Sequence, residues 1–394
     1  MNAPRAYLSK IPESRSLILD GRTWAEVSLA ALGGNFHAVQ KHVGQDVTIC
    51  AVVKADGYGH GAVECARALE SEGAEWLGVT DAAEGLALRG AGVTARILLM
   101  TGIWRGEEDG IVAQNLTPTI WEPWHIETLE RAARKRQMVL PVHLKIDTGM
   151  HRLGAPPEAV PRLAEMLSAC RHLSLDGVST HFASAEVLDA EDAARQMKCF
   201  EEGLAVLQNC GLQPRFVHMG NSAAMSARPD TWKTMVRPGI ALYGYSLAFT
   251  RGGEPAAVAP LPLRPVLSWK TRVLTVKDVA AGEAVGYMGT FVTKARSRIA
   301  VLPVGYADGY PRLLSNRARV IVGGEYAPVV GRVSMDLTIV DVTHIRGVAV
   351  GDEVILIGRD NGKSVDAVEL ARLCESVPYE ILCGLSQRVP RVYN

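Results

Sequence analysis

The 394-residue sequence lacks a net charge, because its 42 basic residues balance its 42 acidic residues. This balance argues against a surface that binds nucleic acid or an anionic membrane. The sequence also lacks a paired-cysteine motif, since its seven cysteines are scattered and none forms a CxxC pair. Scattered cysteines indicate reduced thiols in a cytosol, so neither a disulfide framework nor a metal site is predicted.

Long apolar runs are missing as well. The segment Met1–Leu19 is interrupted by Pro4, Lys10, Pro12 and Glu13 and has no apolar centre of the kind found in signal peptides. No later stretch is long enough to span a bilayer, and no low-complexity segment is present. We therefore expect a cytoplasmic protein that does not enter a membrane. A chain of this length predicts two domains of unequal size.

The most informative stretch surrounds Lys54. The apolar run 47–53 predicts a strand that is buried on both faces, and Gly57, Gly59 and Gly61 allow a sharp turn before a helix. Partial burial of a lysine at the end of such a strand lowers its pKa, and a neutral amine can attack an aldehyde to form an imine. The alternative is a lysine that merely extends its ammonium group to the rim.

Short apolar runs alternate with amphipathic segments from Asp46 onward. About eight such units predict an N-terminal (β/α)8 TIM-type barrel over residues 1–262, with a doubly wound open sheet as the alternative. The segment Ala248–Leu263 is rich in glycine and proline and is typical of a linker. Residues 263–394 predict a C-terminal, mostly β domain. An early strand pattern near residues 17–29 can be assigned to either domain.

Polar residues cluster at the predicted strand ends, which converge on one mouth of a barrel. Two of the loops, 218–222 and 237–240, offer free amides and a hydroxyl that suit a phosphate group. A phosphate site combined with a reactive lysine predicts pyridoxal 5'-phosphate (PLP) as the cofactor. The alternatives are a helix cap and an ordinary turn. The strand-end residues are Lys54, Lys145, Asp147, His181, Asn221, Ser222, Arg237 and Gly239.

Arg237 has a specific possible role. A guanidinium facing a pyridine nitrogen cannot give up its proton, so the ring would stay neutral and would stabilise a carbanion only weakly. The alternative is an arginine paired with a carboxylate. Arg152 can form two hydrogen bonds to a substrate carboxylate, whereas a Lys145–Asp147 salt bridge would be purely structural. His181 orients the ring, stacks on it, or is an ordinary core histidine.

The C-terminal part contains tyrosines flanked by glycine. Tyr287 lies in the sequence VGYMGT, and similar turns follow near Tyr306 and before Met335. Tyrosines in such turns usually serve packing. Neighbouring cations can also make a tyrosine a proton donor or acceptor.

Several motifs occur together in an order that resembles alanine racemases, which are fold-type III PLP enzymes. The resemblance runs from about Leu19 to the C-terminus. The motifs are VVKADGYGHG, HLKIDTGMHRLG, THFA, NSAA, VRPGIALYG, VGYADGYPR, GRVSMD and PYEILCGLSQRVPR.

The resemblance implies a role for each matching residue. Lys54 corresponds to the lysine that binds the cofactor covalently and acts as one base, and Tyr287 to the opposing base contributed by the partner subunit. Arg152 and Met335 lie on the substrate side, and Lys145 matches a lysine that is carbamylated in many members. The residues implied in cofactor binding are Lys54, Tyr58, His181, Asn221, Ser222, Arg237, Gly239, Ile240 and Tyr379.

The activity implied by the resemblance is the interconversion of L- and D-alanine by two-base proton transfer at Cα. It would supply D-alanine for peptidoglycan, and a shared active site implies a head-to-tail homodimer. A serine or broad-specificity racemase of the same fold is an alternative, and a related decarboxylase is a weaker one. A non-enzymatic PLP-binding homeostasis protein is the contrasting hypothesis, but such proteins lack the second domain.

Overall fold

The computed structural model describes residues 21–394, so the segment Met1–Leu19 and the start of the early strand pattern lie outside the described residues. Two compact units are present. The barrel unit is Leu29–Val266, and the strand-rich unit comprises Leu267–Asn394 together with the described residues up to Ser28. The first strand, β1 (Thr23–Val27), belongs to the strand-rich unit.

The barrel unit contains an eight-stranded parallel sheet. Its strands are β2 (Thr48–Val52), β3 (Trp76–Val79), β4 (Arg96–Leu99), β5 (Thr117–Ile120), β6 (Leu140–Lys145), β7 (Leu173–Ser179), β8 (Phe216–His218) and β9 (Met235–Val236). The order is β8-β7-β6-β5-β4-β3-β2-β9. Between the end strands, the Val217 N–H donates to Thr234 Oγ1 at 2.8 Å. The sheet is therefore nearly closed, which confirms the barrel prediction; the open-sheet alternative is wrong.

Amphipathic helices follow most strands of the barrel unit. Their buried positions recur at helical spacing, as for Ile126, Leu129 and Ala133, so each helix covers the sheet with one apolar face. The helices are α1 (Leu29–Val43), α2 (Ala62–Ser71), α3 (Ala82–Gly90), α4 (Glu108–Ala113), α5 (Pro123–Lys135), α6 (Val160–Ala169), α7 (Glu191–Asn209) and α8 (Ser222–Ala227).

Part of the predicted linker is structured. Strands β10 (Phe249–Arg251) and β11 (Glu254–Ala256) form an antiparallel hairpin. The Thr250 N–H donates to the Glu186 carbonyl at 3.0 Å, and the Leu188 N–H donates to the Thr250 carbonyl at 2.9 Å. The hairpin therefore extends the loop that precedes α7.

The strand-rich unit confirms the prediction of a C-terminal, mostly β domain. Its strands are β12 (Leu267–Arg272), β13 (Thr275–Val279), β14 (Ala284–Val285), β15 (Phe291–Val292), β16 (Ser297–Leu302), β17 (Arg319–Val322), β18 (Glu325–Pro328), β19 (Thr338–Asp341), β20 (Glu353–Asp360), β21 (Lys363–Val365) and β22 (Arg391–Tyr393). The main sheet has the order β18-β17-β20-β12-β1-β22, with β21 paired to β20, and a second sheet has the order β13-β16-β19. β1 is antiparallel to β12 and parallel to β22.

Two short helices, α9 (Ala367–Leu373) and α10 (Pro378–Cys383), lie near the end of the chain. Within residues 21–394, no helix combines the length and the apolar character needed to cross a membrane.

Candidate active site

Lys54 begins an unusual left-handed turn directly after β2. The φ angles are 53° at Ala55, 52° at Asp56, 61° at Gly57 and 54° at Tyr58. A non-glycine residue in this conformation costs about 1–2 kcal/mol, so the strain is shared by three side-chain-bearing residues. The sequence predicts a sharp turn at Gly57, Gly59 and Gly61, and all three have positive φ angles; the structure adds left-handed φ angles at Ala55, Asp56 and Tyr58.

Two carboxylates brace this turn. The Ala55 N–H donates to Glu84 Oε1 at 2.7 Å, and the other oxygen of Glu84 accepts the Thr80 N–H at 2.7 Å. Asp56 Oδ1 accepts the Ala62 N–H at 2.9 Å and so caps the start of α2. Charge-assisted hydrogen bonds of this kind offset the backbone strain. They fix the position from which the Lys54 side chain leaves the strand end.

Ser222 and Gly239 form a small polar cradle at the ends of β8 and β9. The Ser222 Oγ accepts the N–H of Gly239 at 2.9 Å and that of Ala241 at 3.4 Å. A Cβ placed on Gly239 would lie 2.2 Å from the Tyr58 hydroxyl oxygen, so only glycine lets the two segments approach this closely. Asn221 Oδ1 caps α8 by accepting the Ala224 N–H at 3.0 Å.

Arg237 is buried, yet no carboxylate pairs with it among the described residues. Its Nη2 donates to the Thr180 carbonyl at 2.7 Å and the Met219 carbonyl at 3.2 Å, and its Nη1 donates to the His218 carbonyl at 2.9 Å. Burial lowers the pKa of Arg237 to about 10, which leaves the guanidinium charged at neutral pH. The structure therefore does not support the alternative of an arginine held by a carboxylate.

Three histidines near Arg237 are neutral. Its own burial, followed by the charge of Arg237, holds the pKa of His218 well below its usual value. His181 is partly buried, and its burial lowers its pKa strongly. For His143, burial and then Arg96 lower the pKa to about 3. His143 packs on Gly177, where a Cβ would lie 2.5 Å from its ring. The interior around Arg237 thus contains hydrogen-bond acceptors without negative charge.

Lys145 and Asp147 do not form a salt bridge within the described residues. Instead, Asp147 Oδ1 accepts the N–H groups of Gly149, Met150 and His151 at 3.0–3.1 Å and shapes the loop that carries Arg152. Burial lowers the pKa of Lys145 to about 8, with further lowering by Arg237 and Arg152. The Lys145 amine is therefore partly neutral near physiological pH.

Four basic side chains lower the pKa of one histidine, His181, at the carboxyl end of the barrel strands. The charges that lower the pKa of His181, after burial, are those of Arg237, Lys145, Arg152 and Lys54, in that order. Mutual repulsion among cations in a partly buried site is unfavourable without anions to compensate. The mouth is therefore suited to a ligand that carries negative charge.

The remaining predicted residues lie in the strand-rich unit. Tyr287 is 70% exposed and sits in a turn that starts at Gly286, where φ is 72°. Met335 is 53% exposed, and its carbonyl accepts the Ala307 N–H at 3.0 Å. Tyr379 is half-buried and lies on α10. The structure thus brings Lys54, Tyr58, Lys145, Arg152, His181, Asn221, Ser222, Arg237, Gly239 and Ile240 into one unit, whereas Tyr287, Met335 and Tyr379 lie in the other.

Three buried or bracing residues were not found from the sequence: Glu84, His143 and Gln196. Gln196 had a usable signal, because it occupies the same helical face as the apolar residues Ala193, Phe200 and Leu207. A polar residue on a buried face needs hydrogen-bond partners and so marks a site of structural importance. Glu84 and His143 gave no such signal, since their roles depend on contacts with distant segments.

Comparisons with known proteins cover nearly the whole chain. Residues 27–247 match a family described as "Alanine racemase, N-terminal domain", and residues 266–393 match "Alanine racemase, C-terminal domain". An alanine racemase from Symbiobacterium thermophilum is 43% identical over 378 residues, covering 95% of this chain and 98% of the relative.

Solved structures are also similar. An alanine racemase from Clostridium difficile superposes with a TM-score of 0.89 at 34% identity, covering 95% of this chain and 96% of that chain. One from Bartonella henselae, with covalently bound pyridoxal phosphate, gives a TM-score of 0.83 at 30% identity and covers 95% of this chain and 100% of that chain.

Proposed function

Because the chain belongs to the alanine racemase family, we propose how its own residues interconvert L- and D-alanine. The observation that carries the proposal is the group of four cations, Lys54, Lys145, Arg152 and Arg237, that act on His181 at the barrel mouth. An anionic cofactor, a substrate carboxylate and the carbamate proposed below for Lys145 would together offset this positive charge.

The proposed cofactor is PLP, which the similar enzyme from Bartonella henselae holds covalently. When bound, PLP supplies an aldehyde for the Lys54 amine and a ring that makes the Cα proton of an amino acid easier to remove. The phosphate would contact Tyr58, Ser222, Gly239 and Ile240, with Asn221 capping the adjacent helix and Tyr379 contributing as the family resemblance implies.

The donors of Arg237 support its orientation towards the pyridine ring. The terminal nitrogens are occupied by His218, by three backbone carbonyls and by His181 Nδ1 at 3.4 Å, whereas Nε makes no hydrogen bond among the described residues. We assign Nε to the ring nitrogen and His181 to the ring's edge. Since a guanidinium donates but does not release its proton near neutral pH, the ring nitrogen stays unprotonated.

Inversion at Cα requires one group on each face of the substrate. Lys54 exchanges a proton on one face, and Tyr287 of the partner subunit does so on the other. Arg152 binds the substrate carboxylate, and Met335 lies beside the substrate. Lys145, whose amine is partly neutral, reacts with carbon dioxide to form a carbamate, and the resulting negative charge holds Arg152 in place.

A head-to-tail homodimer follows from this assignment. Tyr287, Met288 and Met335 are 70%, 85% and 53% exposed in the single chain, although they are large and mostly apolar. Large exposed apolar side chains favour burial in an interface. We place the enzyme in the cytoplasm, where it supplies D-alanine for peptidoglycan.

The test is proton NMR of L-alanine in deuterated water with the PLP-loaded protein, read together with the enantiomer ratio. Loss of the Cα proton signal with drift to equal amounts of L- and D-alanine is the expected result. Lys54→Ala should abolish both changes, and Tyr287→Phe should retain proton exchange for one enantiomer while losing inversion. Full racemisation by Lys54→Ala would overturn the proposal.

A further inference from the structure

Gln196 is a polar residue in an apolar setting. It lies on the inner face of α7, is 2% exposed, and shares that face with Ala193 and Phe200. Nothing in the proton-transfer scheme uses it. A buried amide is costly unless it is hydrogen-bonded, so its partners indicate what it does.

The Gln196 amide bridges two segments that end neighbouring strands. Its Nε2 donates to the His181 carbonyl at 2.9 Å and to Thr148 Oγ1 at 3.2 Å, and its Oε1 accepts the Ala183 N–H at 3.0 Å. A carbonyl only accepts and a backbone N–H only donates, so these partners fix which end of the amide is which. The amide therefore has one orientation.

The hydroxyl of Thr148 continues this chain. Because Thr148 Oγ1 accepts from Gln196, its single proton is free to donate to Thr180 Oγ1, which lies 2.7 Å away. The Thr180 carbonyl in turn accepts from Arg237 Nη2 at 2.7 Å. Hydrogen bonds on either side of Thr180, joined through the covalent structure of that residue, thus connect α7 to the guanidinium in the barrel interior.

Gln196 also contacts the loop that carries Arg152. A Cβ on Gly149 would lie 3.5 Å from Gln196 Cγ, so the glutamine packs over this residue. The same loop is closed by Asp147, whose carboxylate accepts three of its N–H groups. Movement of Gln196 would therefore shift the Arg152 loop and the His181 segment together.

We propose that Gln196 is a positioning residue that sets the spacing between the His181 segment and the Arg152 loop through one side-chain amide. This inference rests on the proposed function, since His181 is assigned to the cofactor ring and Arg152 to the substrate carboxylate. As a consequence, Gln196, which takes no part in the proton transfer, sets the position of the cofactor ring relative to the substrate carboxylate. Misplacement of reacting groups by about 1 Å can cost on the order of 100-fold in rate.

The experiment compares three variants of the PLP-loaded enzyme. Gln196→Met keeps the length of the side chain and removes every hydrogen bond. Thr148→Val removes only the branch towards Thr180 and the Arg152 loop. Gln208→Met is the matched control, because Gln208 lies on the same helix and is exposed. The readouts are kcat, KM, thermal midpoint and the visible circular dichroism of the bound cofactor, which reports ring orientation.

Gln196→Met is expected to lower kcat/KM by about 10- to 100-fold and to change the visible dichroism. Thr148→Val should raise KM more than it lowers kcat, and the double variant should lose less than the product of the two single losses, because both remove the same bond. Gln208→Met should match the parent in every readout.

A Gln196→Met enzyme with a lower thermal midpoint but the parent's kinetics and dichroism would overturn the inference, because Gln196 would then be structural only. If Gln196→Met does not fold, the Thr148→Val enzyme decides instead. A visible dichroism and a KM equal to those of the parent enzyme would then overturn the inference. Failure of the proposed function is recognised separately, since the parent would then not racemise alanine or would keep its visible band after Lys54→Ala.

Discussion

Arg237 Nη1 lies 2.7 Å from His218 Nδ1, and His218 Nε2 lies 2.9 Å from His143 Nδ1. Since a guanidinium only donates, His218 must accept at Nδ1 and carry its proton on Nε2. His143 must then accept at Nδ1. A protonated arginine in the barrel interior therefore fixes the tautomers of two neutral histidines, and they in turn orient it.

His218→Leu should weaken this arrangement. The variant leaves Arg237 with carbonyl partners and the longer, 3.4 Å contact to His181 Nδ1. Loss of a hydrogen bond to a charged group costs about 1.5–3 kcal/mol. We expect a corresponding fall in the free energy of unfolding by urea, together with weaker retention of PLP on dialysis. His37→Leu is a suitable control, because its contact with Glu72 is at the surface. Equal stability of the two variants would contradict a stabilising series of hydrogen bonds from Arg237 through His218 to His143, which we call the relay.

Stability should fall in mild acid because His125 is buried as a neutral ring. Burial lowers its pKa from 6.5 to about 4, so the unfolded state binds more protons between these values and stability decreases as pH falls below 6.5. Between pH 7 and pH 5 this one group should cost about 2 kcal/mol. Urea unfolding at both pH values measures the loss. In His125→Phe, the loss of unfolding free energy between pH 7 and pH 5 should be smaller by about 2 kcal/mol. An unchanged loss would refute the assignment of His125 as a buried neutral ring.

Ala55→Gly should stabilise the fold. Alanine at φ 53° is strained, and glycine removes about 1 kcal/mol of this strain. Ala68→Gly, in the interior of α2, should have the opposite sign and cost about 1 kcal/mol. Thermal unfolding of both variants provides the comparison. Destabilisation by both substitutions would mean that the turn is not strained at Ala55.

Lys145 should be about half neutral at pH 8, because its pKa lies at about that value. Carbamate formation requires the neutral amine, so it should increase as pH rises from 7 to 9 in the presence of labelled bicarbonate. Carbon-13 NMR would detect one protein carbamate signal, and Lys145→Arg should remove it. A signal that persists in Lys145→Arg would place the carbamate elsewhere.

Subunit mixing tests the shared site. Lys54→Ala and Tyr287→Phe should each be inactive in racemisation, whereas a hybrid dimer has one site with both groups intact. Random reassortment should restore about a quarter of the parent activity, since half of the dimers are hybrids and each has one working site. Activity measured after mixing, dissociation and reassociation gives the answer. No recovery would argue that Lys54 and Tyr287 of the same chain work together.

The barrel and the positions of its strand-end residues could be predicted because their signals are local. The apolar run before Lys54 and the glycine-rich turn after it are visible in the sequence, and strand ends of a barrel converge by geometry. The strain at Ala55 and Asp56 was not predictable, because it depends on Glu84, a residue 29 positions further along the chain. The relay of His143 and His218 likewise joins residues on different strands whose spacing carries no periodic pattern.

β1 has a consequence for the order in which this protein can be made. A ribosome releases Thr23–Val27 long before β12 and β22, its two neighbours in the sheet, have been synthesised. The barrel unit can therefore fold while the segment ahead of it is still an unpaired strand, and the strand-rich unit must wait for Arg391–Tyr393. Pairings this distant in sequence form slowly. During that interval the early strand is available for incorrect pairing, including with a second nascent chain.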